Sequence, residues 1–220
     1  MIVAIDGPAG SGKSTTARAV ADRLGWLYLD TGAMYRAVGL AFRDQGLPFT
    51  DAAARDLVPG LDVRLQPGPD AVRVALNRAD VTDRIRTPEA ARDASRASAL
   101  GPVREAMVAL QRRAADGRDV VVEGRDIGTV VFPAAEVKFF LVADLDARAA
   151  RRLAQGGSGG PGPALDTVRA DLAERDRRDQ SRDLAPLVAA ADAVVLDTTA
   201  LTIDQQVERV LDAVRAVSPG

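Results

Sequence analysis

Five short stretches of almost unbroken apolar residues are spaced along the chain. A strand with one wet face alternates apolar and polar residues, so these continuous runs predict strands covered on both faces of a parallel sheet. Between them lie helical patterns, one of which ends before Gly25 and another of which fills 201–217. Strands that alternate with helices predict an α/β fold with a doubly wound five-stranded sheet. The predicted strands are IVAID (2–6), WLYLD (26–30), DVVVEG (119–124), VKFFLVA (137–143) and DAVVLDT (192–198).

Two regions interrupt this alternation. Between 61 and 82, the runs LDVRL and VRVAL alternate with period two across the turn-rich QPGPD, which predicts an antiparallel insertion. The second region, AQGGSGGPGPALD (154–166), contains too much glycine and proline to pack a core. It is either a passive linker or the tip of a short mobile lid.

Composition excludes several kinds of chemistry. The 220 residues contain no cysteine and no histidine, so disulfides, thiolate metal sites and an imidazole base are all excluded. A net charge of −2 gives no general attraction to nucleic acid, and no apolar stretch has the length of a membrane span. We therefore expect a cytoplasmic protein without nucleic-acid or membrane partners. A monomer is the expected oligomeric state, although composition does not determine it. Lysine and arginine total 29, yet only Lys13 and Lys138 are lysine, so each retained lysine is informative.

Lys13 belongs to a phosphate-binding motif. The segment from Gly7 to Ser14 fits G-x-x-x-x-G-K-[ST] and stands between a predicted strand and a predicted helix, as the motif requires. Its backbone N–H groups and the helix N-terminus form an anion nest, and the lysine reaches β- and γ-phosphate oxygens. The Ser14 hydroxyl is placed to bind Mg²⁺. The motif thus predicts a nucleoside triphosphate and Mg²⁺, with the nucleotide bound by Gly7, Pro8, Ala9, Gly10, Ser11, Gly12, Lys13, Ser14 and Thr15.

Three classes of protein carry such a loop: switch or motor NTPases, nucleotide-binding regulators and small-molecule kinases. A GTPase has N-K-x-D, but NRAD (77–80) lacks the lysine and falls inside the predicted insertion, where it reads as a turn. A motor or helicase has a strand that ends in an acidic pair, whereas DVVVEG ends in one acid. A small-molecule kinase needs a second pocket that holds the anion of its acceptor. A nucleotide-binding regulator, whose second pocket only senses a ligand, is the alternative outside enzymes.

Candidates for that second pocket follow two predicted strands. In LDTGAMYR (29–36), Thr31, Tyr35 and Arg36 could hold a phosphate at the carboxyl edge of the sheet. The alternative is that Asp30 or Thr31 caps the next helix while Tyr35 packs against it. In EGRDIGT (123–129), Glu123 is a candidate partner behind the Mg²⁺ site, and Arg125 and Asp126 face the predicted cleft.

A third candidate lies on one helix face. An apolar stripe of Leu165, Val168 and Leu172 continues, at helical spacing, as a charged stripe. Polyphosphate suits such a stripe because arginine forks match phosphate oxygens. Pairing of the arginines with the aspartate inside the stripe is the alternative. The charged residues are Arg175, Arg178, Asp179 and Arg182.

Taken as a set, the motifs resemble those of bacterial cytidylate kinase over essentially the full length. They are AIDGPAGSGKST, LDTGAMYRA, IRTPE, EGRDIGTVVFP, RDRRDQSR with APL, and DAVVLDTT. The chain departs from that family at Thr31, where a serine is common, and near 156–163, where it is longer and looser. The resemblance implies a phosphotransferase that uses ATP and Mg²⁺ to convert CMP or dCMP to CDP or dCDP.

The resemblance also implies regions and residue roles. The P-loop core is expected at 1–35, 101–147 and 184–220, the acceptor region at 36–100, and the lid with the arginine-rich helix at 148–183. Thr31, Tyr35, Arg36, Arg125 and Arg182 are expected at the acceptor and its phosphate. Ser95, Arg104 and Asp126 would read cytosine, and Arg175 and Asp179 would meet the pentose. The catalytic set would be Lys13, Arg125, Arg178 and Arg182, with Arg152 closing over the phosphoryl group.

Overall fold

Strands and helices alternate along the chain as predicted. A computed structural model describes residues 1–66, 72–155 and 164–217. Its strands are β1 (Ile2–Asp6), β2 (Leu27–Asp30), β3 (Val63–Gln66), β4 (Arg73–Leu76), β5 (Ala79–Asp80), β6 (Val120–Glu123), β7 (Val137–Val142) and β8 (Val194–Asp197). Its α-helices are α1 (Lys13–Leu24), α2 (Thr31–Asp44), α3 (Asp51–Leu57), α4 (Pro88–Ala97), α5 (Gly101–Ala115), α6 (Leu145–Gln155), α7 (Leu165–Gln180) and α8 (Ile203–Val217).

The main sheet contains the five predicted strands, in the order β2-β6-β1-β7-β8. β1 lies at its centre and pairs in parallel with β6 and β7, and β7 pairs in parallel with β8. Ile5 is in register with Glu123, so the loops that follow β1 and β6 leave the sheet side by side. The fold prediction is confirmed, and this carboxyl edge is where open α/β sheets bind ligands.

One face of the sheet is covered by α1 and α8. Alternate residues of the central strands, such as Val3, Ile5 and Phe139, are buried there among apolar side chains of both helices, including Val20 and Val210. The prediction that every strand is covered on both faces is wrong for β8, an edge strand in which Val194 and Val195 are 52% and 59% exposed. An apolar run therefore marked a strand but did not show that it was covered.

The chain divides into two compact units, one formed by 1–28 with 117–220 and the other by 29–116. The second unit contains α2 to α5 and an antiparallel sheet in the order β3-β4-β5. This confirms the predicted insertion and adds a third, two-residue strand. Asn77 and Arg78 both have positive φ and form a turn as expected, and Ala79–Asp80 belong to β5. The functional division into core, acceptor and lid regions stays a prediction.

The arginine-rich helix is shorter than its sequence pattern suggested. α7 ends at Gln180, so Arg182 lies two residues beyond the helix instead of on its face. The cause is tertiary, because the chain folds back and the Leu187 amide donates to the Asp179 carbonyl at 2.9 Å. Residues 156–163, on which the linker and lid interpretations rest, lie outside the described residues. Over the described ranges, the helices all lack the combination of length and apolarity that crossing a bilayer needs.

Candidate active site

The predicted phosphate-binding loop connects β1 to α1. Gly7 has φ 143°, and a Cβ at this position would lie 2.1 Å from the Leu141 carbonyl oxygen, so only glycine fits. Lys13, the first residue of α1, is buried, and its Nζ donates to the Pro8 carbonyl at 2.7 Å. The side chain of Lys13 is therefore folded back over the loop that it follows.

The tip of the loop is held from outside by Arg148, which sequence reasoning missed. Its Nη1 donates to the Ala9 carbonyl at 3.1 Å and pairs with Asp176, and its Nε donates to the Ala143 carbonyl at 3.0 Å. Ala9 also packs against apolar residues of α6 and α7. No sequence pattern near Arg148 could predict this role, because its contact on the loop lies 139 residues away.

Two further polar side chains support the loop from the C-terminal part of the chain. The Thr198 hydroxyl lies 2.9 Å from the Ser11 carbonyl, and Thr16 of α1 donates to Gln206 of α8 at 2.7 Å. Both Thr198 and Gln206 are fully buried. The backbone of the loop is thus fixed before any ligand binds, which is the preorganisation that anion binding needs.

Ser14 and Glu123 meet beside the loop. The exposed Ser14 donates its hydroxyl to Glu123 Oε2 at 2.8 Å, and the Tyr28 hydroxyl donates to Oε1 at 2.8 Å. The Arg18 guanidinium lies over the Tyr28 ring, 5.4 Å from its centroid. Sequence reasoning found Ser14 and Glu123 but missed Tyr28. The site offers hydroxyl and carboxylate oxygens, which are the ligand types that Mg²⁺ prefers.

The electrostatic surroundings of Lys13 favour an incoming anion. Burial lowers the pKa of Lys13, and the positive charges of Arg125 and Arg175 lower it further. The carboxylates of Glu123 and Asp6 oppose this change but do not cancel it. A bound phosphate would place negative charge beside the ammonium group and so restore its protonated form.

Asp179 gathers three of the predicted arginines. Arg125 Nε donates to its Oδ2 at 3.1 Å, Arg182 pairs with its Oδ1, and Arg175 Nε lies 3.9 Å away. Although burial opposes ionisation of Asp179, these arginines lower its pKa. The alternative of internal pairing is therefore present in the structure, and it holds three guanidinium groups in one place. Arg178 differs, because it donates to Glu174 at 3.2 Å instead.

Asp126 begins an unusual turn after β6. Residues Ile127–Val131 form a π-helical turn, a conformation that is rare and often occurs at functional sites. The buried Asp6 accepts the Ile127 and Gly128 amides at 2.9 and 2.8 Å. Burial raises the pKa of Asp6 from 3.8 to about 6, against the lowering effect of those two amides. Sequence reasoning missed this role of Asp6.

Except for Arg152 of α6, the remaining predicted residues lie in the unit 29–116. Asp30 caps α2 by accepting the Ala33 amide at 2.8 Å, and it also accepts from Arg36 Nη2 at 3.0 Å. The cap at Asp30 and the burial of Tyr35 are therefore present in the structure, and the phosphate role of this segment stays a prediction. Arg104 Nη1 reaches the Ser98 carbonyl at 3.4 Å. Thr31, Ser95 and Arg104 are all buried in this unit.

Comparison with known proteins extends these observations. The family model described as cytidylate kinase matches residues 3–216. A protein named cytidylate kinase from Salinibacter ruber is 51% identical over 221 residues, which cover 98% of this chain and 97% of that protein. Another protein of that name, from Exiguobacterium sibiricum, is 45% identical over 211 residues, covering 96% and 95% of the two chains. A solved shikimate kinase from Bacteroides thetaiotaomicron matches with a TM-score of 0.52 at 14% identity, over 98% of each chain, and shows the fold alone.

Proposed function

This chain belongs to the cytidylate kinase family, and from that premise we infer that it transfers the γ-phosphoryl group of ATP to CMP or dCMP. The products are ADP and CDP or dCDP, which places the reaction in pyrimidine nucleotide metabolism. One observation carries the chemistry: the compact unit that holds the phosphate loop also holds a carboxylate, Asp179, that gathers three arginines. A phosphoryl transfer needs both a cradle for the donor anion and cations for the acceptor anion.

On the donor side, the loop backbone and the N-terminus of α1 would bind the phosphates, and Lys13 would neutralise charge on the transferring group. The ammonium of Lys13 now donates to the Pro8 carbonyl, an acceptor that a phosphate oxygen can replace. A general base is not needed, because the attacking oxygen belongs to a phosphate that is already ionised near neutral pH. Catalysis then depends on alignment and charge neutralisation, as expected for a chain without histidine.

We also propose that Mg²⁺ binds at Ser14. The exposed hydroxyl of Ser14 and the carboxylate of Glu123 fit this ion, which takes few protein ligands and shares the phosphate oxygens. When bound, Mg²⁺ supplies positive charge at the phosphates. Glu123 would orient the Ser14 hydroxyl, and Tyr28 would hold Glu123. Titrating Mg²⁺ against the rate tests this proposal: Glu123→Gln should need more Mg²⁺ for half-maximal activity, and an unchanged requirement would contradict it.

For the acceptor, we propose that arginines act on its phosphate and that buried polar groups read its base. Arg125 and Arg182, which pair with Asp179, would take phosphate oxygens as bidentate partners. Arg178 and the exposed Arg152 would act on the transferring phosphoryl group. The other proposed contacts are Thr31, Tyr35 and Arg36 for the acceptor and its phosphate, Arg175 and Asp179 for the pentose, and Ser95, Arg104 and Asp126 for cytosine.

The choice of base follows from donors and acceptors. Cytosine has an amino donor at N4 and acceptors at N3 and O2, whereas uracil presents an acceptor at position 4 and a donor at position 3. A carboxylate at Asp126 only accepts and the guanidinium of Arg104 only donates, so the pair complements cytosine. A buried polar mismatch costs about 1–3 kcal/mol, and more when a charge is involved. CMP should therefore exceed UMP by at least roughly 10²-fold in kcat/KM.

The substitution Asp126→Asn tests this assignment. Its amide can present an N–H to the O4 of uracil, so the ratio of CMP to UMP in kcat/KM should fall, mostly through a loss for CMP. The KM for ATP serves as the internal control, because Asp126 has no proposed contact with the donor. An unchanged CMP to UMP ratio would remove Asp126 from base recognition.

Uridylate or adenylate as the natural acceptor is the alternative within kinases. A cytoplasmic location and a monomeric state stay predictions.

A further inference from the structure

Lys138 is the second of the two lysines, and the proposed chemistry gives it no role. It lies in β7 on the face of the sheet opposite Val137, and only 7% of it is exposed. Its Nζ donates to the Pro133 carbonyl and to both carboxylate oxygens of Asp192, at 2.9 and 2.7 Å. Lys138 therefore ties together two segments that are far apart in the chain.

The first of these segments is the π-helical turn after Asp126. Asp6 fixes its beginning by accepting the Ile127 and Gly128 amides, and Lys138 holds the chain two residues beyond its end, at the Pro133 carbonyl. Inside the turn, the i→i+5 bonds of Val131 and Phe132 run to Asp126 and Ile127. A single π turn has poor internal stability, so it depends on outside contacts of this kind.

Lys138 also packs against the middle of this turn. A Cβ placed on Gly128 would lie 3.2 Å from Lys138 Cδ and 3.6 Å from Ala190 Cβ, so the lysine stem passes directly over the glycine. A straight stem with a compact ammonium group fits there. A planar guanidinium needs more width, which explains why lysine was retained in a chain that otherwise uses arginine.

The second segment carries Arg182. Between α7 and β8, the chain folds back where the Leu187 amide donates to the Asp179 carbonyl, and it then reaches Asp192 beside Lys138. The hydrogen bond from Lys138 to Pro133 thus holds the loop that contains Arg125 and Asp126. The ion pair of Lys138 with Asp192 holds the segment that follows Asp179. These are the parts of this unit to which the proposed function assigns acceptor binding.

We propose that Lys138 is a positioning residue for the acceptor: it touches no substrate, but it holds Asp126 and Arg125 in the orientation that binds CMP. This inference rests on the proposed function, because it concerns the residues assigned there to the acceptor. A loop displaced by about 1 Å can lower the rate by up to roughly 10²-fold. Loss of Lys138 should therefore act on the acceptor and on base selectivity, and leave the donor site intact.

The test compares Lys138→Met with Val137→Ala. The control removes buried apolar atoms from the neighbouring position of the same strand, on the opposite face, so it lowers stability without touching the π turn. For Lys138→Met we expect the KM for CMP to rise roughly tenfold and the CMP to UMP ratio to fall at least about threefold. The KM of Lys138→Met for ATP should change less than about twofold, and Val137→Ala should leave the CMP to UMP ratio unchanged. Both variants are assayed at temperatures equally far below their Tm.

A second variant, Asp192→Ala, removes the exposed partner of Lys138 and does not depend on a change in the core. We expect it to shift the KM for CMP and the CMP to UMP ratio in the same direction by about threefold. Lys138→Arg, which keeps the charge but not the shape of the side chain, should not retain the wild-type KM for CMP or the wild-type CMP to UMP ratio. If Lys138→Met and Asp192→Ala both match Val137→Ala, the positioning role is wrong, and if Lys138→Met does not fold, Asp192→Ala decides alone. Failure of the proposed function is distinct, because the wild-type enzyme itself would then show no preference for CMP.

Discussion

The buried Asp6 offers a quantitative test, because two opposing effects act on its carboxyl group. Burial disfavours the charged form, whereas the amides of Ile127 and Gly128 stabilise it. Burial prevails and raises the pKa of Asp6 from 3.8 to about 6. Between these two values, the folded protein binds a proton that the unfolded chain releases. The contribution of Asp6 to stability is therefore largest at low pH and is lost as the pH rises through 6.

The magnitude follows from the difference in pKa. At pH 5, one unit below the folded pKa, Asp6 should stabilise the fold by about 1 kcal/mol relative to pH 8, where it is ionised in both states. Asparagine has no such proton and gains nothing on acidification. At either pH, the NH₂ group that replaces one carboxylate oxygen cannot accept, so one of the two backbone amides loses its partner at a cost of about 1–3 kcal/mol.

Urea unfolding of the wild type and of Asp6→Asn at pH 5 and pH 8 measures the effect. We expect the substitution to be more destabilising at pH 5 than at pH 8, by about 1 kcal/mol. The exposed Asp22→Asn on α1, which makes the same chemical change without burial, is the control. A loss of stability that is equal at the two pH values, or larger at pH 8, would refute the reasoning, since the two amides would then balance or outweigh burial.

Three further substitutions test the site. Lys13→Ala should keep the fold, as measured by circular dichroism, and lower kcat by about 10²-fold or more, because Lys13 would neutralise charge in the transition state. A kcat within about tenfold of the wild-type value would contradict this. Arg182→Ala should raise the KM for CMP about tenfold with a smaller loss in kcat, whereas the control Arg169→Ala, at an exposed position of α7, should change neither. An unchanged KM for CMP in Arg182→Ala would show that Arg182 does not bind the acceptor phosphate. Gly7→Ala should lower the free energy of unfolding, measured in urea, by about 3 kcal/mol or more, because its Cβ would lie 2.1 Å from the Leu141 carbonyl oxygen. A decrease below about 1 kcal/mol would contradict that close approach.

The parts of the site that the sequence predicted are those whose chemistry is local. The phosphate loop could be recognised because glycine, lysine and serine act there at fixed spacing between a strand and a helix. The strands were recognised because continuous apolar runs are typical of parallel sheets, although the edge strand β8 is half exposed at Val194 and Val195.

The supporting residues escaped prediction because their partners are distant in sequence. Asp6 binds amides 121 and 122 residues away, Tyr28 binds a carboxylate 95 residues away, and Arg148 binds a carbonyl 139 residues away. A pattern of neighbours along the chain contains no record of such contacts. The end of α7 was misjudged for the same reason, since a backbone bond from Leu187 sets it.

The most direct test is ADP release from ATP, measured by a coupled assay with each nucleoside monophosphate as acceptor. We expect release that depends on CMP or dCMP, with a kcat/KM at least roughly 10²-fold above that for UMP, and loss of this activity in Lys13→Ala. If none of the monophosphates gave acceptor-dependent release, the kinase assignment would be contradicted, and a regulator that binds nucleotide without turnover would be the better description.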